Sequence, residues 1–163
     1  MDKKIRILIV DDDEVDRELL KKSLKALDAE IIETATGLAC LEVLKAEKFN
    51  LILLDYKLPD TTGLELVTGI KKLTAAPIVI VTGFGNEDLV VAAAEVGVLD
   101  YIPKNKITPE FLTRAILNDL LIHKTQIDKI EMEKELLAHK DVLSEIIKLA
   151  KDRLAYYDKL EEK

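Results

Sequence analysis

Short runs of apolar residues recur along the chain and alternate with segments in which apolar residues are spaced three or four apart. Residues 5–10, 51–54 and 78–81 form nearly continuous apolar runs, which are typical of strands buried on both faces of a parallel sheet. Residues 31–34 and 99–102 include polar side chains, as expected of strands at the edges. The pattern therefore predicts five strands.

The segments between these runs have the apolar periodicity of amphipathic helices. The apolar positions of the four intervening helices are Val15, Leu19, Leu20, Leu24 and Leu27; Leu38, Leu41 and Leu44; Leu64, Val67, Ile70 and Leu73; and Leu89, Ala93 and Val96. Strand and helix thus alternate five times, with prolines and glycines in the connections. This predicts an α/β fold, a doubly wound, flavodoxin-like (βα)₅ parallel sheet with strand order 2-1-3-4-5.

The last third of the chain predicts a long helix. Thr108 and Pro109 are suited to the N-cap and the first helical position, and no glycine or proline follows Glu110. At 1.5 Å per residue such a helix would span roughly 80 Å, well beyond a globule of this size. We therefore expect one domain over residues 1–122 and a helical coiled-coil extension over 123–163 that continues the fifth helix.

Two apolar stripes run along this extension with the spacing of a coiled coil. They are Ile116, Leu120, His123, Ile127, Ile130 and Leu137, and then Leu136, Lys140, Leu143, Ile147, Ala150, Leu154 and Tyr157. The stripes differ in phase by one residue, which predicts a break or a change in winding near Lys140. Because an unpartnered stripe would leave apolar surface in water, we expect a homodimer through the C-terminal helix, or a helical hairpin if the break is real.

Composition and charge narrow the possible partners. The net charge of −7 and the pI near 5.0 argue against binding to nucleic acid or to an anionic membrane, since either needs a basic surface. No run approaches the roughly 20 apolar residues of a membrane span. Cys40 is the single cysteine, which suits a reducing cytoplasmic location.

Polar side chains follow four of the predicted strands: Asp11 and Asp12, Asp55, Thr82, and Lys104. The carboxyl ends of parallel strands meet at one edge of the sheet, so we expect these side chains to converge there. Carboxylates a few ångströms apart repel by roughly 1 kcal/mol in water and by more when partly desolvated, so the cluster needs a cation or shifted pKa values. Mg²⁺ fits, because it takes a few protein oxygens and keeps sites for water and phosphate.

Each of these residues also has a simpler interpretation. Asp13 is well placed to cap the first helix, although Asp11 and Asp12 precede the cap position. Asp55 alone could be a turn residue and Lys104 a surface lysine. Taken together, they suit a carboxylate nucleophile that accepts a phosphoryl group, with a lysine and a threonine hydroxyl on its oxygens.

Four segments of the chain resemble the receiver domain of two-component response regulators over about residues 4–120: 7–13 (ILIVDDD), 53–65 (LLDYKLPDTTGLE), 81–83 (VTG) and 100–104 (DYIPK). The resemblance implies that Asp55 is the phosphoacceptor and that a sensor histidine kinase is the phosphodonor. It implies a Mg²⁺ site of Asp11, Asp12, Asp55 and the backbone carbonyl of Lys57. Thr82 and Lys104 would bind the phosphoryl group, and Tyr101 would be the switch aromatic. A protein of this kind assists its own phosphorylation and is not an enzyme with a separate substrate.

The sequence departs from the family pattern after the lysine, where Asn105 stands in place of the usual proline, so the geometry of this connection is open. Lys57 and Phe84, each two positions after a site residue, occupy places that influence phosphoryl hydrolysis in the family, and we expect Phe84 to hinder the attacking water. Two alternatives remain for function. One is a phosphorelay intermediate with a phosphohistidine at His139, and the other is a vestigial receiver that serves as a scaffold.

Overall fold

The computed structural model describes residues 4–83, 85 and 87–161, with residues 154–161 as backbone only. Five parallel strands form one sheet in the order β2-β1-β3-β4-β5. Their bounds are β1 Arg6–Val10, β2 Glu30–Thr34, β3 Leu51–Leu54, β4 Ile78–Thr82 and β5 Asp100–Pro103. The predicted fold class and strand order are confirmed, and the two strands with mixed polarity lie at the edges.

Five α-helices connect and follow the strands: α1 Glu14–Ser23, α2 Gly37–Ala46, α3 Gly63–Leu73, α4 Glu87–Glu95 and α5 Pro109–Glu161. Each of the first three begins at a side-chain cap, and the cap of α1 is the one that the sequence predicted. Asp13 caps α1 by accepting hydrogen bonds from the N–H groups of Val15 and Asp16. Thr36 caps α2, and Thr62 with Glu65 forms a capping box at α3.

Alternate residues of the central strands point to opposite faces of the sheet and build two apolar cores. One core joins Leu8, Ile52 and Ile80 to α2, α3 and α4. The other joins Ile9 and Leu53 to α1 and to the first turns of α5. Because both faces are covered, the central strands are buried along their length, which is why they read as apolar runs in the sequence.

Helix α1 buries less of its predicted apolar stripe than expected. Leu20 and Leu24 lie in the core, whereas Val15 and Leu19 are exposed. The helix ends at Ser23, and a short 3₁₀ turn, Lys25–Leu27, leads to Asp28 with a φ of 45°. Leu27 therefore packs against the core from the turn and not from the helix.

Helix α5 is continuous from Pro109 to Glu161, and Thr108 caps it by accepting the N–H of Phe111 at 3.2 Å. The break expected near Lys140 is wrong, and so is the hairpin that would follow from it. The hydroxyl of Ser144 donates to the Lys140 carbonyl (2.9 Å) within the uninterrupted helix. A shift in the phase of an apolar stripe changes which face is apolar, but only glycine, proline or an inserted group breaks the backbone.

The chain divides into two compact units, Met1–Ile122 and His123–Lys163. Large apolar side chains of the second unit are exposed along the helix: Ile130, Met132, Leu136, Leu137, Val142, Leu143, Ile146, Ile147 and Leu149. Leu154 and Tyr157, the last two members of the predicted stripe, lie outside the residues whose side chains are described. In the described part of the chain, no helix has the length and apolar character needed to cross a membrane.

Candidate functional site

The candidate site lies where β1 and β3 end side by side. The N–H of Asp11 donates to the carbonyl of Thr34 on β2 (3.1 Å), and the N–H of Asp55 donates to the carbonyl of Val10 on β1 (2.8 Å). Both residues therefore extend the ladder of the sheet by one position, and their backbones are fixed by it. This is the topological switch point, at which a parallel sheet of this order offers a crevice for ligands.

Three carboxylates meet at this edge. One carboxylate oxygen from each of Asp11, Asp12 and Asp55 lies within 4.8 Å of the others. Asp11 and Asp55 are buried, at 1% and 6% exposure, whereas Asp12 is exposed. A cluster with two buried acids and one open side can take a hard cation that keeps part of its water shell.

Lys104, which follows β5, brings one cation into the cluster. Its Nζ lies 2.6 Å from Asp11 Oδ2 and 3.5 Å from Asp55 Oδ1. It also lies 2.6 Å from Oδ2 of Asp16, a residue in the first turn of α1. The connection that carries Lys104 is a 3₁₀ turn, Lys104–Lys106, in which Ile107 N–H donates to the Lys104 carbonyl.

Burial and charge shift the pKa values of these groups in opposite directions. Burial raises the pKa of Asp55, and Lys104 only partly offsets it. Burial likewise raises the pKa of Asp11 against the hydrogen bond from Lys104. For Lys104, burial alone would lower the pKa, but the bonds to Asp11 and Asp16 outweigh it and raise the pKa. The Lys104 ammonium group therefore stays charged, but its charge does not fully offset the burial of the Asp11 and Asp55 carboxylates.

Asp16 was not identified from the sequence as part of this site. An acid in the first turn of a helix is expected from the helix dipole alone, so its presence carries no further signal. Arg17 was missed for a similar reason. Its guanidinium donates to the backbone carbonyl of Asp11 (2.8 Å) and so braces the end of β1.

The loop between β3 and α3 closes tightly over the end of β3. Lys57 forms an isolated antiparallel bridge with Thr62, and Gly63 N–H donates to the carbonyl of Tyr56. A backbone hydrogen bond from Lys57 lowers the pKa of Asp55, although burial dominates. The backbone of Lys57 is thus held beside the Asp55 carboxylate.

Thr82 closes β4, is 1% exposed and pairs in register with Pro103, the residue before Lys104. Thr82 and Tyr101 both line a cavity of about 400 Å³. The remaining lining residues are Gly83, Gly85, Glu87, Val90, Pro103 and Asn105. The Tyr101 hydroxyl approaches the Gly85 backbone so closely that a Cβ there would lie 2.1 Å from it. Phe84 lies outside the described residues.

Residues 7–117 match the family model of the response regulator receiver domain, in the region that contains this site. This chain belongs to the response regulator receiver family. Its function is that of the receiver domain of a two-component response regulator.

Relatives of known sequence and structure agree with this assignment. The chain is 33% identical to the transcriptional regulatory protein SrrA of Staphylococcus aureus over 128 residues. The matched segment covers 78% of this chain and 52% of that protein. The chain thus spans about half the length of the curated relatives it matches.

Among solved structures, a CheY-like receiver domain protein from Methanospirillum hungatei JF-1 is 33% identical, with a TM-score of 0.70 over 76% of this chain and 99% of that one. The Mn²⁺-bound form of response regulator Rcp1 is 32% identical, with a TM-score of 0.60 over 67% of this chain and 89% of that one.

Proposed function

We propose that this receiver accepts a phosphoryl group on Asp55, and that residues 1–122 are the receiver domain and 123–163 its helical extension. The observation that carries the proposal is the meeting of Asp55 with Asp11, Asp12 and Lys104 at the switch point of the sheet. Among these acids we assign the phosphoacceptor role to Asp55, which directly follows β3, because the resemblance to receiver domains implies it. Burial raises the pKa values of Asp11 and Asp55 even with Lys104 beside them, and perturbed acids of this kind support a chemical role for the cluster.

In the proposed reaction, a carboxylate oxygen of Asp55 forms a bond to the phosphorus of a phosphohistidine on the kinase. The phosphorus–nitrogen bond breaks, and its electron pair stays on the imidazole, which takes up a proton from solvent. Lys104 donates a hydrogen bond to a phosphoryl oxygen, and the Thr82 hydroxyl donates to another. The protein turns over no separate substrate, in keeping with the phosphoacceptor role of receiver domains.

We propose that Asp11, Asp12, Asp55 and the backbone carbonyl of Lys57 hold Mg²⁺. Oxygens within 4.8 Å of one another, one of them exposed, suit a small divalent cation that retains waters. A bound divalent cation supplies positive charge against the phosphoryl oxygens. The similar response regulator Rcp1 has been solved in a Mn²⁺-bound form, which supports a divalent ion at this edge.

The phosphorylation signal leaves through Thr82 and Tyr101 in this proposal. Movement of the Thr82 side chain toward a phosphoryl group on Asp55 would enlarge the cavity that these two residues share. Tyr101 is half-buried against the α2–α4 core and has its hydroxyl beside Gly85, so inward rotation of the ring would alter the surface of α4, β5 and α5. Switching of this kind needs two discrete side-chain arrangements.

The extension provides a second part of the proposal, homodimerisation through α5. Apolar side chains exposed along the helix have coiled-coil spacing, and acids and bases alternate beside them, as in Glu131 with Lys134 and Glu145 with Lys148. Such a surface is complementary to a second copy of itself. We propose neither a nucleic-acid nor a membrane partner for this chain, given its net charge of −7, and a cytoplasmic location, given a single, unpaired Cys40.

Incubation with acetyl phosphate and Mg²⁺ tests the phosphoacceptor. We expect intact-mass spectrometry to detect the addition of one phosphoryl group, peptide mapping to locate it at Asp55, and chelation of Mg²⁺ to abolish it. Asp55→Asn should lose the modification, whereas Asp28→Asn, an exposed acid with a backbone conformation that asparagine tolerates, should keep it.

Two other outcomes would point elsewhere. A phosphoryl group on His139, which is exposed on α5, would support a phosphorelay intermediate. An unmodified chain under all conditions would support a vestigial receiver that acts as a scaffold, and it would contradict the proposal.

A further inference from the structure

We propose that Asp16 is a positioning residue that holds the Lys104 ammonium group away from Asp55 until a phosphoryl group is present. This inference rests on the proposed function, because it concerns the same site. Asp16 belongs to the first turn of α1 and is not one of the acids of the metal cluster. Its contact with Lys104 joins two residues 88 positions apart in the chain.

The distances show which partners Lys104 prefers. Its Nζ lies 2.6 Å from both Asp11 and Asp16, but 3.5 Å from Asp55. The contact with Asp16 is a charge-assisted hydrogen bond and the contact with Asp11 is a close ion pair, whereas 3.5 Å is at the limit of a hydrogen bond. In this form of the protein, the lysine is therefore bound mainly to the two acids that do not accept the phosphoryl group.

An ammonium group has three N–H donors and no acceptor, so its partners compete. A phosphoryl group on Asp55 adds three strong acceptor oxygens next to the donor that now faces Asp55. Asp11 is 2% exposed in its side chain and also accepts the N–H of Asp13, so it is firmly held. Asp16 is 32% exposed, so water can solvate its carboxylate after release, and it is the partner that Lys104 gives up at lower cost.

The negative charge of Asp16 and its hydrogen bond to Lys104 both disfavour a phosphoryl group on Asp55. A phosphoryl group is anionic, so a carboxylate on the same lysine both repels it and engages the cation that would stabilise it. Asparagine at this position would remove the negative charge and weaken the hold on Lys104. Both effects favour the form with a phosphoryl group over the form without one.

Binding of beryllium trifluoride, a phosphoryl mimic, at saturating Mg²⁺ tests this inference on the full chain. We expect Asp16→Asn to lower the Kd for the mimic roughly tenfold. In the variant, Lys104 no longer has to break a charged hydrogen bond to Asp16 before it can bind the mimic. Asp16→Glu keeps the charge and should stay near wild type. Glu14→Gln is the control, because it removes a carboxylate from the same turn. In the described part of the chain, Glu14 is not among the ion-pair partners of Lys104. The Kd of this variant for the mimic should therefore differ from that of wild type by less than about twofold.

A second measurement follows the lysine itself. The ¹⁵N–¹H signal of the Lys104 ammonium group should be visible in the wild type without the mimic, because two carboxylates slow its exchange with water. It should weaken in Asp16→Asn and persist in Glu14→Gln. A residue that only stabilised helix α1 would not affect this signal selectively.

The outcomes separate this inference from the proposed function. Equal Kd values for wild type and Asp16→Asn, or an equal gain in Glu14→Gln, would overturn the role of Asp16 and leave Asp55 as the phosphoacceptor. A wild-type chain that binds no mimic would overturn both. Should Asp16→Asn fail to fold by circular dichroism, Asp16→Ser provides the same comparison, since it also removes the charge.

Discussion

Asp60 ties the loop that follows the candidate phosphoacceptor to a neighbouring helix. Its two carboxylate oxygens accept the backbone N–H groups of Gly37 and Leu38, both at 2.9 Å. These N–H groups open helix α2 and have no partner within it, so an aspartate from another part of the chain satisfies them. Asp60 thus anchors the loop that carries Lys57 to the start of helix α2.

Replacement of Asp60 by alanine should loosen this loop. We expect Asp60→Ala to lower the free energy of unfolding by about 1 kcal/mol, as for the loss of a helix cap, and to weaken Mg²⁺ binding because Lys57 loses its support. Urea unfolding without metal and a Mg²⁺ titration measure the two effects. Asp28→Asn is the matched control, and equal stability of the two variants would contradict the role of Asp60.

The effect of Asp60→Ala should also depend on pH. The backbone hydrogen bonds from Gly37 and Leu38 lower the pKa of Asp60, so the folded protein favours the charged form. Its contribution to stability is present above the ordinary pKa of about 3.9 and is lost as the pH falls through the lower pKa of the folded state. The difference in the free energy of unfolding between wild type and Asp60→Ala should therefore shrink as the pH falls below about 4. A difference that does not depend on pH would contradict a stabilising role of the Asp60 carboxylate.

Residues that follow a strand could be predicted from the sequence, whereas residues that reach the site from a helix could not. Asp11, Asp55 and Lys104 lie where apolar runs end, and the parallel sheet brings those ends together. Asp16 and Asp60 reach their partners through the packing of helices and loops, which no local pattern encodes. Acids at such positions are also common for unrelated reasons, such as the helix dipole and turn formation.

At the scale of elements, the start of helix α3 is packed against the backbone of the site. A Cβ at Gly63 would lie 2.6 Å from the Asp55 carbonyl oxygen and 3.0 Å from the Tyr56 Cα. Neither backbone atom can move aside without displacing β3 or the loop. Glycine at this position therefore lets the helix begin directly beside Asp55.

Gly63→Ala should therefore destabilise the receiver by roughly 1–3 kcal/mol, the usual cost of forced overpacking, and should reduce phosphorylation of Asp55. Gly83→Ala is the matched control for stability, because a Cβ there would meet no atom of the described residues within 4 Å. Thermal unfolding of the two variants gives the comparison. Similar losses of stability in both would show that the contact with the Asp55 backbone is unimportant.

Helix α5 carries a buried acid in the part that packs on the sheet. Asp119 is 3% exposed, and its Oδ2 has no hydrogen-bond partner among the described residues. Burial, with a smaller effect of Asp100, raises its pKa from 3.8 to about 6. The folded state thus keeps a proton that the unfolded state loses, so stability falls as the pH rises from about 4 to 6.

Asp119→Asn should remove this dependence. Because the shift is about two pKa units, the stability of the variant relative to wild type should increase by roughly 3 kcal/mol between pH 4 and pH 7. Chemical unfolding of both proteins at the two pH values measures this difference in stability. Any effect of the amide group that does not depend on pH cancels in the comparison between the two pH values. Asp128→Asn, exposed on the same helix, is the matched control for the substitution itself. If the free energy of unfolding of Asp119→Asn changed with pH as much as that of wild type, the raised pKa of Asp119 would be contradicted.

The central strands were predicted well because both of their faces are buried, so that burial alone dictates the residue type. Leu51–Leu54 and Ile78–Thr82 are buried at every position. Helix α1 was predicted less well, since apolar residues at helical spacing do not say how wide the buried face is. Val15 lies 76% exposed, outside the face that Leu20 occupies.

At the scale of the whole molecule, the extension is a helix whose large apolar side chains are exposed between Ile130 and Leu149. The sequence predicted its existence and its start, because Thr108 and Pro109 mark a helix N-terminus and no helix breaker follows. The expected break was wrong because a phase shift in an apolar stripe constrains the partner of a helix and not its hydrogen bonds. What the stripes still predict is a pairing surface.

The pairing surface can be tested by two substitutions one helical turn apart. Leu143 and Ile147 are 58% and 54% exposed, and in a homodimer each copy would bury both side chains. Loss of four such buried side chains, at roughly 1.5 kcal/mol or more each, should weaken dimerisation about ten-thousandfold in Leu143→Gln with Ile147→Gln. Glutamine is a good helix former, so the helix itself should persist by circular dichroism.

Molecular mass in solution, measured by light scattering with and without beryllium trifluoride, gives the result. We expect a dimeric wild type, a monomeric double variant and a dimeric Glu145→Gln control, which changes an exposed polar residue between the two sites. A mass that doubles only with the mimic would make pairing the output of the switch, since a ligand shifts an equilibrium only through a difference in affinity for its two states. An unchanged dimer would make the extension a permanent clamp and direct the signal to another surface, whereas a monomeric wild type in both conditions would refute pairing.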